Sequence, residues 1–209
     1  MRFAVLGFLL AASASSVSAL PASSAAADDS QYLETRATTS GCGVDAFNLV
    51  SLRSGSPIHQ GSFSASKSAL LVNLPKGKQA ATCDGNPGGV ATFFIKDGGL
   101  YLYHAGKGKK QQVFVDRSGM GQGVLGYMDE GQTPPRYAEL QGWKSVKNGD
   151  RSYLTFKDSG LLACPGSLDK SWRVWVDIGI QSPGGNKNCL GLSAMVLPSE
   201  DPVSCRYTR

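Results

Sequence analysis

Phe93-Phe94-Ile95-Lys96-Asp97-Gly98-Gly99-Leu100-Tyr101-Leu102-Tyr103 reads as two short strands around a tight turn. Asp and Gly accept the positive φ angles that a turn between twisted strands requires. The predicted strands are residues 93–95 and 100–103. Alternation sends Leu100 and Leu102 to one face, Tyr101 and Tyr103 to the other. The same pattern, an apolar run, an Asp-containing turn and an apolar return, recurs at residues 113–115 with a turn at 116–119. It recurs again at residues 154–156, with Asp158-Ser159-Gly160 leading into Leu161-Leu162-Ala163-Cys164. The units start near residues 93, 113 and 154, a spacing too uneven for a true sequence repeat. The chain's 26 glycines and 10 prolines punctuate it throughout, and no apolar stripe of helical period reaches helix length. The expected fold is all-β: a compact antiparallel single domain, with a β-trefoil-like barrel ahead of a two-sheet sandwich.

Working outward, the N-terminus has the parts of a secretory signal. Arg2 supplies the positive start, residues 3–12 are apolar, and residues 13–19 are small, with Val17 and Ala19 placed for cleavage before Leu20. That apolar run falls short of the roughly 20 residues a membrane span needs. Residues 1–19 are therefore read as a signal peptide and residues 20–40, rich in Ala and Ser, as a flexible leader with a candidate processing site at Arg36. Residues 41–209 remain for one all-β domain, long enough for a sizeable core. The formal charge of +5 is a mild bias that does not point to nucleic acid.

Secretion changes how Cys42, Cys83, Cys164, Cys189 and Cys205 are read. An oxidising route favours disulfides, and none shows the CxxC spacing of a zinc site, so no metal and no cofactor is expected. Cys164 and Cys189 lie in apolar segments near the C-terminus that neighbouring strands can bring together, and their bridge is the preferred one. The second bridge draws on Cys42, Cys83 and Cys205. Cys42, beside the leader, is the first candidate for the free thiol, with Cys83 and Cys205 among the disulfide candidates and the connectivity left open.

Catalytic signals are weak. His59 and His104 are the only histidines, and neither stands in a nucleophile motif such as GxSxG or HExxH. Asp97, Asp116 and Asp158 occupy turn positions where Asp binds its own backbone. Spacing alone does not remove those three or Glu130, Glu139 and Asp177 from a glycosidase reading. Lys107-Gly108-Lys109-Lys110 and Lys76-Gly77-Lys78 are basic loops able to hold a polyanion or simply to be solvated; they lack the aromatic interleaving of a nucleic-acid site. Trp172-Arg173-Val174-Trp175-Val176-Asp177 is the most distinctive strand. Alternation puts Trp172, Val174 and Val176 on a core face and Arg173, Trp175 and Asp177 on the other. Trp175 is then either an exposed platform for a sugar ring or a ring covered by a neighbouring hairpin. With Trp143 and Arg173 it forms the candidate ligand platform.

Three segments carry a resemblance when read in order: Phe47-Asn48-Leu49-Val50-Ser51-Leu52-Arg53-Ser54-Gly55-Ser56-Pro57-Ile58-His59; Leu162-Ala163-Cys164-Pro165 with Trp172-Arg173-Val174-Trp175; and Cys189-Leu190-Gly191-Leu192-Ser193-Ala194. Together with Cys205-Arg206-Tyr207 at the end, they resemble the fungal secreted cell-wall proteins of the PhiA type. That family is associated with phialide and conidium development and includes IgE-binding mould antigens. The resemblance implies an extracellular, wall-associated, non-enzymatic protein with no catalytic residues to carry over. Its expected partners are wall polysaccharide or other wall proteins, with no membrane span and no nucleic acid. One departure stands out: no Asn is followed two positions later by Ser or Thr, so this sequence cannot carry an N-glycan. The expected function is a non-catalytic structural or interaction protein of a fungal wall. A carbohydrate-binding, lectin-like module is the alternative and a secreted glycan hydrolase the third.

Overall fold

The computed structural model describes residues 45–209. The signal peptide, the leader, Arg36 and Cys42 lie outside the described residues. The central hairpin joins strand β5 (Thr92–Lys96) to β6 (Gly99–Leu102), with Lys96 opposite Gly99. Its loop is therefore the two residues Asp97 and Gly98, at φ 50° and 74°. Both values lie in the left-handed region that a two-residue turn between right-twisted strands requires. Leu100 and Leu102 are buried in the main core, whereas Tyr101 and Tyr103 pack with Ala46 and Phe94 in a separate cluster.

Ahead of this hairpin come β1 (Phe47–Leu52), β2 (Gly61–Ser66), β3 (Ala69–Val72) and β4 (Ala81–Cys83). After it follow β7 (Gln111–Asp116), β8 (Val124–Asp129), β9 (Ala138–Glu139), β10 (Trp143–Asn148), β11 (Arg151–Phe156) and β12 (Leu161–Cys164). The chain ends with β13 (Trp172–Val176), β14 (Leu190–Pro198) and β15 (Cys205–Tyr207). Helical structure among the described residues is limited to the 3-10 turns Leu168–Lys170 and Pro183–Gly185. The fold is all-β and antiparallel.

The expected turns fare differently. The unit at 113 is a hairpin of β7 and β8, but its loop runs from 117 to 123 because Asp116 pairs with Val124. The unit at 154 is not a hairpin. Lys157 and Asp158 take left-handed φ of 46° and 64°, the turn closes one bridge between Phe156 and Ser159, and the chain then peels away. β11 and β12 instead lie end to end along one edge of β14, through residues 194–196 and 190–192 respectively. Both strands take β14 rather than each other as ladder partner, a long-range choice that an apolar–turn–apolar pattern does not carry.

The same sharing occurs twice more. One edge of β1 is divided between β2 and β5, and one edge of β13 between β3 and β8. As a result β1, β2, β3, β13, β12 and β14 pair in that order, and β14 pairs back onto β1. Their inward residues, including Leu49, Phe63, Val72, Val174, Ala163 and Leu192, form the centre of one hydrophobic cluster. β4 and β15 form a separate two-stranded sheet that carries the C-terminal end of the chain.

Candidate functional site

Alternation along β13 sends Val174 and Val176 into the main core, with Trp172 partly buried against it. Trp175 points to the opposite face and packs with Leu162 and Cys164 under Val124 and Cys189. Trp175 is only 6% exposed. A Cβ on Gly184 would lie 2.8 Å from its indole, so the Pro183–Gly185 turn is seated directly on the ring. The reading of Trp175 as an exposed platform is corrected by this cover. Trp143, at the start of β10, is 2% exposed and packs at 5.0 Å from the Phe156 ring. It stands at the base of a groove of about 470 Å³ lined by Phe47, Ile95, Val196 and Pro198, with Lys144 and Ser145 beside it. The two indoles belong to different clusters, so they do not form one site.

Arg173 shares the outer face of β13 with Trp175. Its guanidinium carbon lies 5.6 Å from the Trp175 ring centre. In the ladders it stands opposite Cys164 of β12 on one side and Leu71 of β3 on the other, both fully buried. Burial pulls its pKa down. Asp177, the next residue on that face, turns its carboxylate to the Gly179 amide at 2.9 Å.

Both disulfides join antiparallel neighbours. Cys83 of β4 stands opposite Cys205 of β15 and is bonded to it. Cys164 is bonded to Cys189, one step beyond the Ala163–Leu190 pair of β12 and β14.

The basic loop between β6 and β7 is anchored. Lys107 and Lys109 are exposed, while the Lys110 ammonium lies 5.1 Å above the Phe94 ring. A Cβ at Gly106 would come within 2.7 Å of His104 Nε2, and one at Gly108 within 3.3 Å, so this backbone wraps the imidazole. His104 Nδ1 lies 3.2 Å from Ser204 Oγ, which also accepts from the Ala105 amide at 3.0 Å. That Ser–His contact has no acid bonded to the imidazole among the described residues. Ser204 is buried, and Asp84 accepts from the Ser204 amide rather than from the imidazole. His59 Nδ1 accepts from the Arg53 amide at 3.2 Å, closing the loop after β1.

Several carboxylates are held by cations. Glu139 receives Arg117 through both oxygens, at 2.7 and 3.0 Å, and pairs also with Lys157. The hydrogen bond from Arg117 is the main reason its pKa falls to about 2; burial opposes this and Lys157 adds to it. A glycosidase acid needs the opposite shift. Asp129 is held by Arg206 at 2.8 Å and Arg209 at 3.4 Å, and Asp158 by Lys144 at 2.6 Å. Among the described residues no three His, Cys, Asp or Glu side chains gather as a metal site, and no helix is long and apolar enough to cross a membrane.

Sequence reading missed the Arg117–Glu139–Lys157 cluster, the Asp129 anchor and the Ser204–His104 contact. None of the three had a usable sequence signal; the pairing of Cys83 with Cys205 announces only that their neighbours Asp84 and Ser204 meet.

A family model described as PhiA-like secreted protein matches residues 47–208, from the first strand to the last. The chain belongs to the PhiA-like secreted protein family. It is 41% identical over 177 residues to "Cell wall protein phiA" of Emericella nidulans, covering 84% of this chain and 93% of that protein. The Aspergillus fumigatus protein of the same name is 43% identical over 163 residues, covering 78% and 85%. That of Arthroderma benhamiae is 45% identical over 153 residues, covering 70% and 78%. No solved structure matches the chain. As a PhiA-like protein the chain is secreted, which accords with two disulfides in its fold.

Proposed function

We propose that this protein is a non-catalytic structural or interaction protein of a fungal cell wall, delivered by a signal peptide at residues 1–19 and a leader at 20–40. The observation that carries the reading is the extent of the match to relatives named cell wall protein, which spans nearly all of the folded strands. Chemistry supports the absence of catalysis. Glu139 is neutralised by two cations and held at low pKa, and Ser204 lacks both exposure and a His–Asp relay. The circuit from β1 through β14 and back, with three strand edges each divided between two partners, supports a trefoil-like barrel as its architecture. Such a scaffold offers a rigid body whose exposed loops and faces meet wall polysaccharide or other wall proteins.

The lectin-like reading is favoured by one observation, the half-buried Arg173 guanidinium, which has no acid paired with it among the described residues. Incubating the purified protein with isolated fungal wall material, chitin, β-glucan and acidic glycans tests both aspects. The expected result is co-sedimentation with wall material and no release of reducing ends. Release of sugar that tracks with the protein would overturn the non-catalytic reading, and failure to sediment with any wall material would overturn the wall interaction.

A further inference from the structure

Among the described residues the arginines other than Arg173 either meet an acceptor or, as Arg136 and Arg151 do, lie exposed to water. Arg117 is gripped by Glu139, Arg206 and Arg209 by Asp129, and Arg53 donates to the Gly191 carbonyl at 2.7 Å. Arg173 is different. It is half-buried between β12 and β3, and its Nε is sealed from solvent without a hydrogen-bond acceptor. Among the described residues no carboxylate, carbonyl or hydroxyl accepts from its two Nη nitrogens, which are not sealed. The partner it has is the Trp175 ring. A guanidinium withdrawn from water loses hydration that an anion normally replaces, and among the described residues nothing replaces it.

We propose that Arg173 receives a singly charged oxyanion of a wall glycan, a uronate carboxylate or a phosphodiester, through its outward Nη fork. The geometry suits that class. With Nε sealed, the two Nη groups are the donors left to the guanidinium, and their parallel N–H bonds suit two oxygens of one acid group. A single guanidinium matches one negative charge, whereas a phosphomonoester dianion would leave charge unbalanced. Leu162, Trp175 and the Cys164–Cys189 bridge keep the surrounding face apolar, which strengthens a charged contact made there.

The site deepens the lectin-like side of the proposed function and rests on it, so the test separates the two. Binding of wild-type, Arg173→Gln and Arg173→Lys protein is measured to a polyuronate, a phosphodiester-bearing mannan and neutral β-glucan. Wild type is expected to bind one of the two anionic polymers, Arg173→Gln to bind it about tenfold more weakly, and Arg173→Lys to recover only part. The preferred polymer identifies the anion. In parallel, the Arg173 side-chain Nε–H resonance of the wild-type protein is followed by NMR while galacturonate or dimethyl phosphate is added, which needs no variant to fold. A saturable shift confined to Arg173 and Trp175 supports the site. Equal binding by Arg173→Gln, or an unmoved Arg173 resonance while the polymer binds, overturns the anion site and leaves wall binding intact. No binding of wild type to any wall polymer overturns the lectin-like reading itself.

Discussion

Removing each disulfide separately asks how much of the fold depends on tying its ends. Cys83 and Cys205 are 122 residues apart, whereas Cys164 and Cys189 are 25 apart. If a bridge acts by restricting the unfolded chain, its loss costs about 5 kcal/mol for the long loop and about 3.5 kcal/mol for the short one. In a domain of this size each kcal/mol moves Tm by roughly 2–4 °C. Cys83→Ala with Cys205→Ala is therefore expected to lower Tm by roughly 10–20 °C, and Cys164→Ala with Cys189→Ala by roughly 7–14 °C. The structure pushes the same way, because β15 and β4 pair only with each other as a small sheet outside the main one. The assay is thermal unfolding followed by circular dichroism, with guanidinium titration on the same variants. A larger loss from the short-loop pair would refute the reasoning, since it would mean that local cover of Trp175 outweighs chain closure.

Three further perturbations test particular contacts. Glu139 has its pKa lowered from 4.5 to about 2, so its contribution is full above pH 4.5 and is lost as pH falls toward 2. Discounted for solvent at a partly exposed site, that is about 1–2 kcal/mol, and urea unfolding should show wild type losing more than Glu139→Gln between pH 6 and 2.5. Gly123 has φ 90°, and a Cβ there would strike the Val176 carbonyl, so Gly123→Ala should cost about 2–4 kcal/mol by opening the β8–β13 contact. An unchanged guanidinium midpoint would contradict that junction. Trp143→Ala and Trp175→Ala should each cost about 3–5 kcal/mol as core truncations, and a Tm within a degree or two of wild type would show that the rings are exposed after all.

What the sequence revealed was local. Asp97-Gly98 announced its turn because left-handed φ has few tolerant residues, and period-two alternation placed Val174 in the core and Trp175 opposite. Alternation assigns a face but does not reveal what covers it, and Trp175 is closed over by Pro183–Gly185 and Cys189, which follow it by a turn and a loop. The 154 unit was misread because strand choice is settled by long-range edges: β14, whose Ala194 stands opposite Leu154, takes the place of the nearer return strand. Glu139 was one surface-looking acid among many, and its partners at separations of 22 and 18 residues leave no periodic trace. Arg173 appeared in the candidate platform for its neighbour's aromatic ring. Its distinguishing property, a half-buried guanidinium whose Nε is sealed without an acceptor, exists only in the packed fold.

Residence in the wall is the central claim, and quantitative fractionation of the producing fungus tests it most directly. Culture medium, washed cell walls and cytosol are probed for the mature protein. The account predicts recovery in the wall fraction, with the remainder in the medium and none enriched in the cytosol. A protein found only in the cytosol, or washed completely from walls into the medium at low salt, would contradict it.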